Sequence, residues 1–497
     1  MSAPATSLPT TGLPVPASPP ARGWAAAGLP LAGGVLLGLG LAAGSLPLVV
    51  LALLPLVVAL VLRPDGAMLL FTAGMYLNLP VLVSQQTGLP SALTGAFALL
   101  LLLPFVGYVV IGRAPLVLTP ALGLMTAWLL VLVLSASVAG GSAASTVPPI
   151  VTFLTEGLLL YFLVTNVVRS PRTLRAVVWV LLGAGAVMGL ISIWQEATHS
   201  YHQTLWGLAQ VDATGFNVGS DLTGKQLRPR LAGPIGEKNS FARILIVLLP
   251  LALALYRVER GRVRRMLAAA CGGLVLCAIT LTFSRGAAVA LAILLVAAVA
   301  LRVVPARQVA LLVAAVVALV LAVAPDYVSR VQSLSAAESV TSQGSGADQA
   351  IRGRATENLA AFYVLRDHPV LGVGPDQFFR RYSQAYANRL DLRFLETNRR
   401  AHNLYLEIAA DTGIIGLSVF LAIVGTTMVQ LWRAARFWTL RGRGDLAALA
   451  HGFLLSLVGY LAAGLFLQLS YQRYFWLLVA LANSTIWMLR RSRMSSV

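Results

Sequence analysis

Ten arginines stand in the single stretch 326–412, and Arg399-Arg400 runs almost directly into His402-Asn403. Guanidinium binds phosphate oxygens in a two-pronged geometry that lysine cannot match. Histidine exchanges a proton near neutral pH. Two further segments carry arginines of the same kind. One is Arg228-Pro-Arg230, followed by Gly236-Glu-Lys-Asn-Ser240; the other is Thr282-Phe-Ser-Arg285-Gly-Ala287. Glu156 stands inside an apolar run, where acids are expensive and often functional. Together these residues point to an anionic substrate and a proton transfer.

The elements that must position them are membrane helices. Of the 497 residues, 58% are hydrophobic and 11% charged, against roughly 25% charged in soluble domains. Apolar runs recur from Trp24 to Met488, each long enough to cross a hydrocarbon core of about 30 Å. The pattern predicts helices at 24–43, 46–62, 67–86, 91–111, 117–137, 150–168, 176–194, 241–257, 266–282, 286–304, 308–324, 413–432, 447–468 and 472–489. The expectation is an all-α polytopic membrane protein with about 12–14 transmembrane helices, the lower figure applying if the first two are an accessory or re-entrant pair. Residues 1–23, rich in Pro, Ser, Thr and Ala, read as a disordered tail. A bundle with an outer segment at 196–240 is expected over 24–325, a large helical loop over 326–412, and closing membrane helices over 413–497.

Charge fixes an orientation. With the N-terminus inside, the inner loops hold Arg63, Arg113, Arg169, Arg172, Arg175, Arg257 through Arg265, Arg302, Arg307, Arg433 through Arg443, and Arg490 onward. The short outer loops, such as 139–145 and 85–90, hold no charge. This is the positive-inside pattern, and it places both termini in the cytoplasm. The segments 196–240 and 326–412 then lie outside. The net charge of +19 is almost wholly arginine, with Lys225 and Lys238 the two lysines. It is spread over separate short loops, which argues against a nucleic-acid partner. Cys271 and Cys277 share one apolar run and suggest neither a disulfide framework nor a metal site. His199 and His202 are three apart, but no further ligand accompanies them.

Within the large loop, Ser333–Ala350 reads as mobile and Ala355–Arg366 as a helix. Asp367 to Asp376 is a turn-rich connector, and a second helix is expected at about 377–389. A third starts near His402, stops at Gly413 and leads into the next membrane helix. His402 is thereby expected near the membrane surface on a rigid element.

The segments RPRLAGPIGEKNSFA, TFSRGAAVAL and RDHPVLGVGPDQF…RAHNLYLEIAADTGIIGL resemble the O-antigen ligase and O-antigen polymerase superfamily. The resemblance covers roughly 150–430, and its most specific part is the HPVLGVGPDQF–HNLYLE pair. It implies a membrane-embedded glycosyltransferase of the GT-C-like type that uses neither metal nor cofactor. The implied donor is a polyprenyl-diphosphate-linked glycan. The implied acceptor is a hydroxyl of lipid A–core or of another lipid-linked glycan, so ligase and polymerase remain alternatives. By carry-over His402 is the catalytic base, and Arg285 with Arg230, or its neighbour Arg228, holds the diphosphate. Arg399, Arg400, Asn403 and Glu156 are candidate substrate contacts. The sequence Gly236-Glu-Lys-Asn239 departs from the Asn/Asp-Pro-Asn associated with this position, which leaves the roles of Glu237 and Lys238 open.

Each residue has a blander reading. His402 alone would be a loop histidine beside a helix start. Arg285 would be a snorkelling interfacial arginine. Arg352, Arg354, Arg399 and Arg400 would be loop surface, and Glu156 would pair with an arginine as structural glue. A transporter or flippase of lipid-linked glycans is the rival function. It calls for ionisable residues and broken helices at mid-membrane, whereas the unusual charge here lies in the outer segments.

Overall fold

The computed structural model of the chain describes residues 64–88, 97–218, 226–323, 346–390 and 395–494. The tail 1–23, the expected helices 24–43 and 46–62, and most of Ser333–Ala350 lie outside the described residues. The chain is an all-α polytopic membrane protein. Among the described residues seven helices are long and apolar enough to span a membrane, or eight if one bent pair counts as a span.

That pair is α1 (Pro64–Tyr76) and α2 (Leu79–Thr87), bent by 63°. The expected single helix 67–86 is broken at Asn78, whose φ of 59° is left-handed. Asparagine tolerates that conformation better than most residues. Next come the shorter α3 (Phe97–Ile111), α4 (Pro120–Val138) and α5 (Ala143–Val167). Pro148 and Pro149 lie inside α5, and a π-helical stretch follows at Phe153–Leu159. Prolines remove ladder hydrogen bonds and loosen the turn ahead of them. Helix α6 (Pro171–Ala197) opens with Ser170 as N-cap, its Oγ accepting from Thr173 N at 3.0 Å, and with proline at the first helical position.

The outer segment then forms an antiparallel hairpin, β1 (Gln210–Val218) and β2 (Gln226–Gly233), which periodicity had not predicted. Four apolar helices follow: α7 (Lys238–Val258), α8 (Arg262–Leu281), α9 (Arg285–Ala300) and α10 (Ala306–Val323). The large loop holds α11 (Gly346–Asp367) and the short α12 at 378–388. The chain closes with α13 (Leu404–Leu440), α14 (Gly444–Ala463) and α15 (Gln472–Met494).

Helices α7 and α14 form the centre, each 78% buried. Gly459 of α14 sits where a Cβ would come within 2.9 Å of Ile246, so small residues let these helices approach closely. Residues Tyr474–Ala482 of α15 are buried beside them, and Phe475 and Trp476 join Phe420, Phe153 and Tyr460 in an aromatic cluster. The loop has its own small core of Ala360, Ala361, Val364, Val373, Phe378, Ala387, Ala401 and Ala410.

Candidate active site

Helix α13 is divided at Gly413 into a short arm, which His402 and Asn403 precede, and a membrane helix. There φ is 65° and ψ is −168°, and the helix breaks before entering the membrane. The connector 368–376 docks into the break. Val373 N donates to Ala410 O at 3.0 Å, Gly374 N to Asp411 O at 2.9 Å, and Ile414 N to Pro369 O at 2.8 Å. Gly413 and Gly372 make this approach possible. A Cβ on Gly413 would meet Val370 O at 2.2 Å, and one on Gly372 would meet the Asp411 carbonyl carbon at 2.4 Å. The Asp411 carboxylate accepts from the backbone N–H of Asp376 and of Phe378, both at 2.9 Å, and so starts α12. Gly372, Gly413 and Asp411 of the paired motifs are therefore scaffold that fixes the connector against the break in α13.

Asn403 is the N-cap of α13, with Oδ1 accepting from Tyr405 N at 3.0 Å and Leu406 N at 3.1 Å. That is a structural task for a residue carried forward as a substrate contact. His402 lies just before it, half-buried. Its Nε2 is 3.4 Å from Glu357 Oε2 on α11. Its Nδ1 is buried and has no hydrogen-bond partner among the described residues. The imidazole falls from 6.5 to about 4. Burial disfavours its charged form most, and then Arg354, Arg399 and Lys238 repel a proton while Glu237 offsets part of the effect. The near-neutral value expected from the sequence does not hold, because the ring is buried and cations stand around it.

They arrive on separate elements. Arg230 is buried on β2 opposite Asp212 of β1. Its guanidinium is pushed below its ordinary value by burial first, with Arg285 and Arg354 adding to the effect and Asp212 and Glu237 opposing it. Lys238 Nζ meets Asp212 Oδ2 at 2.8 Å and ties the hairpin to the start of α7. Glu237 caps that helix, accepting from Asn239 N at 2.9 Å and Ser240 N at 2.7 Å. The open roles of Glu237 and Lys238 are thus architectural. Ser284 Oγ donates to Asn239 Oδ1 at 2.7 Å, joining the turn before α9 to the start of α7. Phe283 in that turn is buried with φ at 51°, a conformation rare for a bulky side chain. Arg285 follows as the first residue of α9. A cavity of about 10 Å³ between Asn239, Arg243, Ser284 and Arg354 marks the seam where these elements meet.

The remaining candidates separate. Arg399 lies on the His402 side, 4.0 Å from Glu357 Oε1. Arg400 turns away from His402, its Nη1 on Glu407 at 2.8 Å and its Nη2 on Asp376 at 2.6 Å, with its plane over Phe379. Glu156 is remote, paired at 3.1 Å with Arg473, which also donates to Asn78 Oδ1 at 2.5 Å. Arg228 lies on β2 opposite Phe216, and nothing described of it bears on the site. Among the described residues no group of three His, Cys, Asp or Glu could hold a metal.

Sequence reading missed Glu357 and ranked Arg354 low. A signal existed: Glu357 is an acid beside Ala360, Ala361 and Val364 on the apolar side of a helix, in a chain with 18 acids in all. The hairpin could have been found from the alternation in Gln226-Leu-Arg-Pro-Arg-Leu.

The fold defines a polytopic membrane protein in which arginines of a helix end, a hairpin and a helical loop come near one another. The family model for O-Antigen ligase matches residues 270–421, and this match supports membership of the O-antigen ligase superfamily. It spans Arg285, Arg354, Glu357, Arg399 and His402, and leaves Arg230 with its hairpin outside. No curated protein matches the chain. The family implies glycan transfer of the O-antigen ligase type in polysaccharide biosynthesis, in general terms from a lipid-linked glycan to a glycan or lipid A–core acceptor.

Proposed function

We propose that the chain transfers a glycan from a polyprenyl diphosphate carrier to an acceptor hydroxyl, at the non-cytoplasmic face of the bacterial inner membrane. Both termini are cytoplasmic in this reading, by the charge of the short loops. The observation that carries it is a chain of neighbouring cations beside the imidazole: Arg354 acts on both His402 and Arg230, and Arg285 acts on Arg230. Arg285 and Arg230, assisted by Arg354, hold the diphosphate, on which negative charge grows as the glycosidic bond breaks. His402 Nδ1 takes the proton of the acceptor hydroxyl. The freed oxygen attacks the anomeric carbon, the carbon–oxygen bond to the diphosphate breaks, and polyprenyl diphosphate leaves with the electron pair. A single direct displacement inverts the anomeric centre. Glu357, facing Nε2, favours the tautomer with the proton on Nε2 and leaves Nδ1 as acceptor. The arginines supply the charge stabilisation that a metal ion provides elsewhere.

A transporter calls for ionisable groups at mid-membrane, whereas the candidate charges here lie in the outer segments and Glu156 is paired with Arg473. Ligase and polymerase share this chemistry and differ in acceptor. The deciding experiment is His402→Ala in purified protein with a lipid-linked glycan donor. Transfer should fall by about 10²–10⁴-fold, the usual worth of base catalysis, while insertion and thermal stability persist. Transfer at the normal rate would remove the assignment.

A further inference from the structure

A second polar site lies beside His402. We propose that it holds the sugar of a lipid-anchored glycan acceptor, an assignment that rests on the transfer reaction proposed above. Arg399 and Arg400 point to opposite sides, the first towards Glu357 and the second into a cavity of about 280 Å³. The cavity runs between α4, α5, the first turn of α13 and the start of α12. Its volume is close to the lower end of small-molecule sites, about 300 Å³.

The polar groups at its rim can be accounted for almost completely. Arg400 bridges Glu407 Oε1 and Asp376 Oδ1, while Asp376 Oδ2 accepts from Arg380 Nε at 2.8 Å. Both Asp411 oxygens are taken by backbone N–H groups. What remains is Glu407 Oε2, which is buried on a side chain 9% exposed and has no hydrogen-bond partner among the described residues. A buried carboxylate oxygen in a cavity wall calls for a donor such as a hydroxyl. Asp376, Glu407 and Asp411 line this rim together with Arg380 and Arg400, and such a mixture of acceptors and donors suits the neutral hydroxyls of a sugar. The donor's phosphates belong instead with the cations around Arg230.

The deep wall is apolar. Trp128 and Phe153 meet edge to face at 6.5 Å, and Leu132 lies beside them. Trp128 is ten residues from the end of α4 at Val138, about 15 Å below the loop face at 1.5 Å per residue. Polar at the surface and apolar at the depth of lipid chains, the cavity matches an amphiphile: sugar hydroxyls on Glu407, and the apolar anchor along Trp128 and Phe153. Glu407 is in the first turn of α13, which begins two residues after His402. The cavity and the proposed base thus flank the same helix start.

The test is photolabelling of the full chain in nanodiscs with a dodecyl maltoside carrying a diazirine on its alkyl chain. Label is expected in α4 and α5 around Trp128 and Phe153, displaced by unlabelled dodecyl maltoside but not by maltose or pyrophosphate. Glu407→Gln should cut labelling at least fivefold. Leu132→Trp fills the depth without touching the Arg400 pair and should abolish labelling with the unfolding midpoint retained. Unchanged labelling in both variants, equal competition by maltose, or displacement by pyrophosphate would overturn the assignment. His402→Ala should label normally. If it labels normally and also still transfers glycan, the catalytic reading fails and this site stands; if the wild type does not label while His402→Ala loses transfer, the reverse holds.

Discussion

Acid should stop this protein later than it stops an enzyme with an ordinary histidine base. His402 titrates at about 4 rather than 6.5, chiefly through burial and next through Arg354. The neutral ring is the form that accepts a proton. At pH 5.5 a group titrating at about 4 is about 97% neutral, whereas one at about 6.5 is about 9% neutral. The ratio kcat/KM follows the free protein. It should therefore hold nearly level from pH 8 down to 5.5, then fall about tenfold per pH unit below 4. Arg354→Gln removes the leading charge that repels the proton, so its acid limb should move to higher pH. The kcat profile reports the loaded protein. A bound diphosphate offsets the arginines there, and the acid limb of kcat should lie above that of kcat/KM. The assay is transfer from a polyprenyl-diphosphate-linked glycan by purified protein over pH 4–8, at saturating and subsaturating donor. A wild-type limb in kcat/KM at 6.5, or one that Arg354→Gln leaves unmoved, would refute the reasoning. Stability carries the same sign. The unfolded chain binds the proton at 6.5 and the folded one at about 4. Stability therefore falls as pH drops through that window, and His402→Gln should flatten the fall in thermal unfolding scans.

Gly413→Ala places a methyl group 2.2 Å from Val370 O at φ 65°. It should destabilise the docked connector by about 1–3 kcal/mol and lower transfer with no group of the chemistry altered, read by thermal unfolding alongside activity; a neutral outcome would remove the scaffold role of the motif. Glu156→Leu leaves Arg473 buried without its 3.1 Å partner. A broken buried pair typically costs about 3–5 kcal/mol, so the unfolding midpoint should drop sharply, while donor affinity of the folded fraction is expected to be unchanged. Chelator added to the purified protein should leave transfer untouched, and loss restored by a divalent cation would contradict the arginine-only account of the diphosphate.

Helices and charge were legible because each is a property of a short window. A run of apolar residues states its own length, and the arginines of the short loops state an orientation without reference to any neighbour. The motif around 367–413 could be read for the same reason: its glycines and capping residues act on their own backbone, and Asn403 caps the helix it begins. The arms and turns of the loop were therefore expected nearly where they are found.

Tertiary structure decided which polar residues meet. Glu357 and His402 are far apart in sequence and 3.4 Å apart in space. Adjacent Arg399 and Arg400 serve different partners, Glu357 for the first and Asp376 with Glu407 for the second. The titration of His402 is also tertiary, because burial and the charges of Arg354, Arg399 and Lys238 come from other elements or from the fold around it. By itself the sequence determined a membrane bundle with a charged outer loop and a short set of candidate groups. Only packing determined that Arg354 comes near both His402 and Arg230 and that Arg285 comes near Arg230, while Arg400 and Glu156 pair elsewhere. Electrostatic partners are chosen by distance through space, and hydropathy along the chain carries no record of it.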